Sequence, residues 1–576
     1  GHLVTWGEAN EPLEGASEQA GHGGGNPMAL ELGRRQLAQA VRQAGEEGRD
    51  LPPVVIVGAG LSGLAMGAQL VRAGFDRFTI VEQADEVGGT WRDNTYPGAG
   101  CDVPSHLYSF SFWPKRDWSR RYAEQPEILA YARAFAERFG LRDHLLVSTT
   151  VVRVDLDEDR GLWNVDVLGP DGTPGTLEAS VVVFACGQLN RPYVPRLEGL
   201  ERFAGTWWHS ARWDHSVDVT GKRVAVVGSG ASAIQFVPPL ARQAASVTVF
   251  QRTPSYVAPK RDHPYEGLKR QVLSRVPAAE RALRWWTYWA MEARWLAFRE
   301  GSWLGRRLAA LFAAQLRANV VSESLPEHAV VPDYPIGCKR ILISNEWYPT
   351  LLRPNVTVVD EPIVRVDADG PVTASGTHYD ADVIVFGTGF ETTDFLGHVP
   401  VVGRGGRTLA QAWSGGAHAY LGVAVPDFPN CFLLYGPNTN LGHNSILFMV
   451  ERQVNLVLQA VATLVRRRAG AAAGPGATME VGKGPDARHD ERVQRLMANT
   501  AWVAACHSWY KDASGRVTNN WPTWTFRYWL DTLRLRRGDW LVTSTSETPD
   551  IRQGSPIPAR PASHGRRGGP AAPGRR

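Results

Sequence analysis

Two glycine-rich turns, each set directly behind a run of apolar residues, decide most of what this chain can fold into. Pro53-Val-Val-Ile-Val57 runs straight into Gly58-Ala-Gly60-Leu-Ser-Gly63, and an apolar stretch continues to Arg72. Continuous apolar character is what a parallel strand buried on both faces requires. In the turn, the first glycine permits the tight bend and the second lets backbone approach a pyrophosphate. The third lets helix and strand pack closely, with the helix N-terminus facing the phosphates. Phe78-Thr-Ile-Val81 reads as the next strand. It ends in Glu82, 24 positions after Gly58, where a carboxylate accepts from ribose hydroxyls. Lys222-Arg-Val-Ala-Val-Val227 and Gly228-Ser-Gly230-Ala-Ser232-Ala233 repeat strand and turn, with alanine as a tolerated third position. The strand after it, Ser246-Val-Thr-Val-Phe250, ends in Gln251-Arg252-Thr253 and not in an acid. The carboxylate that would repel a 2′-phosphate is missing, and Arg252 is placed to pair with one. The second site is therefore expected to prefer NADPH to NADH.

At 576 residues the chain exceeds one core, and about 150 residues per domain predicts two to four domains. Its 43% hydrophobic and 21% charged content is that of a soluble globular protein. The net charge of +4 comes from the tail: beyond Ile551 there are six Arg and no acid, and without them the charge is −2. A nucleic-acid surface is not indicated. The five Cys are odd in number and form no C-x-x-C. That pattern predicts reduced thiols in a cytoplasm, with no disulfide framework and no structural zinc site. No apolar run is read as long enough to span a bilayer, and the first thirty residues lack a secretory pattern.

Further stretches give the two turns a context. Phe203-Ala-Gly205-Thr-Trp-Trp-His209-Ser-Ala-Arg-Trp213 reads F-x-G-x-x-x-H-x-x-x-W and ends 15 residues before Gly228. Gly88-Gly-Thr90-Trp91-Arg-Asp-Asn-Thr-Tyr96-Pro97-Gly98-Ala-Gly-Cys-Asp102 fits G-G-x-W-x4-[FY]-P-G-x3-D, a Gly- and Pro-rich loop suited to lie against a cofactor. Asp333-Tyr-Pro-Ile-Gly337-Cys-Lys339-Arg340 and Asp382-Val-Ile-Val-Phe-Gly-Thr388-Gly389-Phe390 follow, then His507-Ser-Trp509-Tyr510 and Thr518-Asn-Asn520-Trp521-Pro522. On these residues the chain, over roughly 53–545, resembles the type I Baeyer–Villiger monooxygenases. These are flavin enzymes that insert one atom of O2 beside a ketone carbonyl.

The resemblance implies an α/β fold: two Rossmann-like dinucleotide-binding domains, for FAD and NADPH, with a helical insertion. Gly58, Gly60, Gly63 and Glu82 would hold FAD. Thr90, Trp91, Asp102 and Tyr108 would lie along the flavin, with Thr388-Gly389 packed against it. Gly228, Gly230, Ser232, Arg252 and Thr253 would hold NADPH, helped by Lys339 and covered by Trp509. Gly387 departs mildly from the family, which often has alanine there. Hydride would pass from NADPH to flavin, and reduced flavin would react with O2 to a C4a-peroxide; the protein positions and charges that chemistry. A fixed guanidinium would stabilise the peroxide anion and then the oxyanion of the tetrahedral adduct. Arg340 is expected in that role, with Asp102 orienting it through a charge-assisted pair. His209 is assigned to domain linking and not to acid–base chemistry.

A disulfide reductase would need a redox-active cysteine pair, and no such motif is present. An N- or S-oxygenating flavin monooxygenase is disfavoured by Trp213 and Arg340, and a non-catalytic redox sensor is the second alternative. The N-terminal arm and the Trp-Tyr…Asn-Asn-Trp-Pro ending resemble the branch acting on bulky cyclic, polycyclic or terpenoid ketones.

The expected order is an N-terminal extension (1–50), FAD domain (51–187), NADPH domain (188–261), helical insertion (262–332), NADPH domain again (333–381), FAD domain with a cofactor-covering segment (382–545), and a disordered tail (546–576). Within the extension, 1–27 reads as disorder or a surface arm and 28–47 as a helix. A helix is expected over 126–140, a β-meander over 147–186, and a long helix over 446–467. In the insertion, Trp285, Trp286, Tyr288, Trp289, Trp295, Phe298 and Trp303 alternate with arginines. Packing of these aromatics on the main body is preferred to a membrane-surface helix, so membrane association is not expected.

Overall fold

The structure is a computed structural model and describes residues 31–396, 398–467, 476–504, 506 and 508–543. The expected arm over 1–27, most of loop 468–477, His507 and the expected tail lie outside the described residues.

Two five-stranded parallel sheets carry the fold. The first has the order Cys431–Leu433, Val181–Phe184, Val54–Val57, Phe78–Val81, Leu145–Leu146. The second has the order Val356–Val359, Ser246–Phe250, Arg223–Val227, Val383–Phe386, Thr206–His209. Val54–Val57, Val181–Phe184 and Val383–Phe386 are buried at every position, as strands covered on both faces must be. The apolar helices Leu61–Arg72 and Ala233–Ala241 follow the two glycine-rich turns. These are the two Rossmann-like units in the α/β arrangement expected.

The strand Val383–Phe386 was expected to return the chain to the first unit. It lies inside the second sheet, between Arg223–Val227 and Thr206–His209. The first sheet is rejoined only at Cys431–Leu433. The signature stretch itself supplies an edge strand, Thr206–His209.

The meander Thr150–Asp157, Leu162–Leu168, Pro174–Ala179 is antiparallel, and Val401–Val402 extends it. The extension contributes the helix Leu32–Glu46. It lies on Ile446–Arg467, where Gly33 N–H donates to Asn455 Oδ1 at 2.8 Å. Ile446–Arg467 corrects one expectation, since its 22 residues are long and apolar enough to cross a bilayer. In this fold it is a core helix, buried almost throughout. An antiparallel pair of strands far apart in the chain, Thr478–Val481 and Trp540–Thr543, had no signal in the sequence.

Two further expectations are corrected. Cys338 and Cys506 form a disulfide across 168 residues of chain, so the thiols are not all reduced. Cys101, Cys186 and Cys431 remain free. The insertion forms helices Gly267–Arg275, Pro277–Glu292 and Trp303–Asn319. Tyr288, Trp295 and Phe298 pack inward, but Trp285, Trp286, Trp289 and Trp303 are exposed.

Candidate active site

A cavity of about 880 Å³ opens where the carboxyl ends of both sheets meet, at Val57, Val81, Val227 and Phe250. Ligands of doubly wound sheets bind at such strand ends. Both glycine-rich turns line it. Gly58 and Gly228 adopt φ of 104° and 106°, values open to glycine and costly for other residues. Behind the first turn, a Cβ on Gly63 would stand 1.9 Å from the Gly58 carbonyl oxygen, so helix and strand touch only because it has none. Of the residues expected to serve a site, Gly63 alone does not face the cavity. Gly60, Glu82, Thr90, Trp91, Asp102 and Tyr108 line one part, and Gly230, Ser232, Arg252, Thr253 and Lys339 another. Arg340, Thr388, Gly389 and Trp509 line it as well.

The geometry at each position follows from local chemistry. Glu82, at a strand end, accepts from Ala59 N–H at 2.8 Å and from Arg92 at 3.1 Å. Trp91 Nε1 donates to the Tyr108 hydroxyl at 3.0 Å. Thr388 Oγ1 donates to the Tyr193 carbonyl, and Tyr193 N–H donates to the Gly389 carbonyl at 2.9 Å. Trp509 lies beside Tyr510, ring centroids 4.5 Å apart.

Arg340 is bound to Asp102 in fork geometry. Its Nε donates to Oδ2 at 2.8 Å and its Nη2 to Oδ1 at 2.7 Å. Nη1 is not engaged by the carboxylate. Burial works against the guanidinium charge, yet Asp102 outweighs it and the pKa of Arg340 is raised. A permanent, oriented cation therefore faces the cavity.

Lys339 Nζ donates to Thr253 Oγ1 and sits 4.6 Å from the Tyr334 ring centroid. Burial lowers its pKa from 10.5, and the nearby Arg252 charge lowers it further. Among the described residues neither Lys339 nor Arg252 has an ion-pair partner. Two like charges held together are unfavourable until an anion joins them.

His209 is buried. Its Nδ1 accepts from Ala211 N–H at 3.1 Å, and its ring meets Phe390 at 5.6 Å. Burial pulls its pKa down to about 4 while the Gly389 backbone opposes that. A neutral packed ring suits linkage and not proton transfer. At the other end of the signature, Trp213 contacts Tyr96 of the first unit and Phe236 of the second, at 6.5 and 5.4 Å.

A flavin-binding monooxygenase-like family description matches residues 52–275. A Baeyer–Villiger monooxygenase of Pseudomonas aeruginosa is 40% identical over 494 residues, covering 85% of this chain and 92% of that relative. One of Streptomyces coelicolor is 40% identical over 495 residues, with the same coverage. The chain belongs to the type I Baeyer–Villiger monooxygenases. Its fold agrees with solved structures. A steroid monooxygenase bound to NADP superposes with a TM-score of 0.74 at 32% identity, over 86% of this chain and 99% of that one. The cyclohexanone monooxygenase of Rhodococcus sp. Phi1 bound to NADP+ gives 0.76 at 26%, with the same coverage.

FAD and NADPH are the cofactors of this Baeyer–Villiger monooxygenase, and the chain's own residues fit them. The helix Leu61–Arg72 has no acid in its first turn, so its N-terminus is open to a pyrophosphate. A Cβ at Gly60 would meet only Gly89 Cα, at 3.8 Å, so backbone can be approached there. Arg252 and Lys339 form a cationic pocket suited to a 2′-phosphate.

Sequence reasoning missed part of the lining. Arg92, Gln188, Tyr435, Asn440 and Asn444 face the same cavity. Asn440 Nδ2 donates to Asn520 Oδ1 at 2.7 Å, tying the loop before Ile446 to the covering segment. Its signal in the sequence is the polar run Asn438–Asn444 directly ahead of an apolar helix.

Proposed function

We propose that Arg340 is the catalytic cation of this Baeyer–Villiger monooxygenase, with Asp102 as the residue that positions it. The observation that carries this is the fork pairing of the two side chains on the wall of the cavity shared by both glycine-rich turns. FAD, reduced by NADPH, supplies the activation of O2. Asp102 fixes the plane of the guanidinium and keeps it charged. Nη1 offers a donor to negative charge developing on the carbonyl oxygen, where preorganised donors contribute most. Arg252, Thr253 and Lys339 hold the 2′-phosphate of NADPH. Trp509 and the Thr518–Asn520 segment close the cavity and exclude water. No side-chain nucleophile is required.

The substrate is proposed to be a bulky cyclic ketone, converted to a lactone or ester. The likeness to a steroid monooxygenase at 32% identity supports the larger end of that range. Mass spectrometry of products from a panel of cyclic ketones with NADPH tests the reading. Lactone is expected, and sulfoxide from thioether probes with no lactone would favour an S-oxygenating enzyme. Arg340→Ala is expected to retain FAD and to lose lactone formation by about 100-fold or more; normal turnover in that variant would refute the assignment.

A further inference from the structure

The insertion exposes large apolar side chains next to one another. Trp285, Trp286 and Trp289 are 56%, 67% and 38% exposed. Positions 285 and 289, and 286 and 289, are neighbours on one helical face. The patch continues onto the helix Thr525–Thr532. Trp285 and Trp289 meet at 6.4 Å between ring centroids, Trp289 and Phe526 at 6.3 Å, and Phe526 and Trp524 at 6.0 Å. Leu530, one turn beyond Phe526, is 54% exposed. Single exposed apolar residues are ordinary, but a contiguous patch of this kind marks a contact surface.

The exposed charges on the same stretch are positive with one exception. Arg275, Arg281, Arg294, Arg299, Arg306 and Arg307 are exposed, and Glu300 is the only exposed acid between them. Glu280 and Glu292 are buried. None of those six guanidiniums is ion-paired among the described residues. A second copy of this chain is a poor occupant. A twofold interface brings the same patch onto itself, and so would set these arginines against one another. A surface of anionic headgroups complements them, and indole rings are suited to the boundary between headgroups and acyl chains.

We propose that this tryptophan-bearing face, with the exposed arginines of the same insertion, docks the enzyme on an anionic lipid bilayer, lying on the membrane without crossing it. The docking face backs onto the cofactor cavity. Tyr288, beside Trp289, meets Phe448 at 5.3 Å, and the adjacent Leu447 lines the cavity.

Co-sedimentation of the purified holoenzyme with large unilamellar vesicles tests this. With equal parts phosphatidylglycerol and phosphatidylcholine at low salt, the enzyme is expected in the pellet. Pure phosphatidylcholine or added salt should release most of it. The double variant Trp286→Ser with Trp285→Ser should lower partitioning at least about tenfold. Arg294→Gln with Arg299→Gln should lower it on the anionic vesicles and leave it unchanged on the neutral ones. FAD content and melting temperature report whether each variant folds, and the salt series on the unaltered enzyme stands without them. Three results would overturn the proposal. The holoenzyme remains in the supernatant with both vesicle types, or the tryptophan variant partitions as before. Alternatively, sedimentation equilibrium finds an oligomer that the tryptophan variant dissolves, which makes the face a self-interface.

Discussion

Arg340 shows how little of a reactive side chain's character belongs to the residue alone. Its charge would be costly in a closed cavity, and Asp102 offsets that cost while fixing two of its three nitrogens. The long loop pattern ending in Asp102 and the short Lys339-Arg340 pair are 238 positions apart, so only the fold brings them together. Gly387 has a similar dependence on a distant position. The family often places alanine there, and the second turn has alanine, Ala233, where the first has Gly63. The structure joins the two departures: a Cβ on Gly387 would stand 3.3 Å from Ala233 Cβ and 3.3 Å from Phe236. A second methyl group there fits only if Ala233 and the Phe236 ring give way by a few tenths of an ångström. Gly387→Ala is therefore expected to destabilise by about 1 kcal/mol through overpacking. Adding Ala233→Gly should recover most of that loss. Melting temperatures of the two single variants and the double variant check it, and strict additivity would show that the positions do not share the space.

At the level of elements, the insertion is more than a decoration of the second unit. Its helix Pro277–Glu292 ends in a buried carboxylate. Glu292 accepts from Asn444 Nδ2 at 2.7 Å, from Thr525 N–H at 2.5 Å and from Thr525 Oγ1 at 2.8 Å. His443 Nε2 lies 3.6 Å away. One side chain thus joins the insertion, the loop before Ile446, whose Asn444 lines the cavity, and the covering segment. Burial alone would raise the Glu292 pKa, but His443, Asn444 and Thr525 reverse this and lower it below 4.5. A depressed carboxylate pKa contributes stability above the unfolded value, and that contribution is lost as pH falls through the folded one. Glu292→Ala is expected to cost about 3 kcal/mol at neutral pH, since it strands buried partners. The gap in melting temperature between the native enzyme and Glu292→Gln should narrow as pH drops below about 4.5. A gap independent of pH would remove the charged role. Sequence reading found the helix and missed this, because a buried Glu among arginines looks like any solvated charge. It likewise found Cys338 and Cys506 but not their bond, as pairing over 168 residues leaves no spacing to read. Strands with strong apolar runs were legible. The pair Thr478–Val481 and Trp540–Thr543 was not, because its register is set by partners far along the chain.

For the whole molecule, the question is how two nucleotide units hold their cofactors in one shared cavity. Both glycine-rich turns were legible because each is a local pattern, and the signature stretch was legible as lying between them. What it touches was not. Trp213 packs at 5.6 Å on Trp208 of the same signature stretch and at 5.4 Å on Phe236 of the second unit's helix. It also meets Tyr96, which belongs to the first unit's loop. Tyr96 in turn donates to Gln235 Oε1 at 3.0 Å, and Gln235 Nε2 donates to the Gly100 carbonyl at 3.0 Å. The loop that carries Asp102 at its end is thus clamped to the helix behind the second turn, with the Trp213 ring as the wedge. His209, from the same stretch, reaches Phe390 beside Thr388-Gly389. Neither residue lines the cavity; His209 packs within the second unit, and the Trp213 contacts are the ones that bridge the two units. Trp213→Ala is expected to bind FAD and NADPH nearly as the native enzyme does, because both cradles are intact. Anaerobic flavin reduction by NADPH should nonetheless slow by about 10–100-fold, since small misplacement of reacting groups is costly. Trp213→Phe, which keeps a ring in the wedge, should recover much of the rate. Stopped-flow absorbance of the flavin separates this from simple destabilisation. A variant that melts lower yet reduces its flavin at the native rate would show that Trp213 supports the fold and not the alignment.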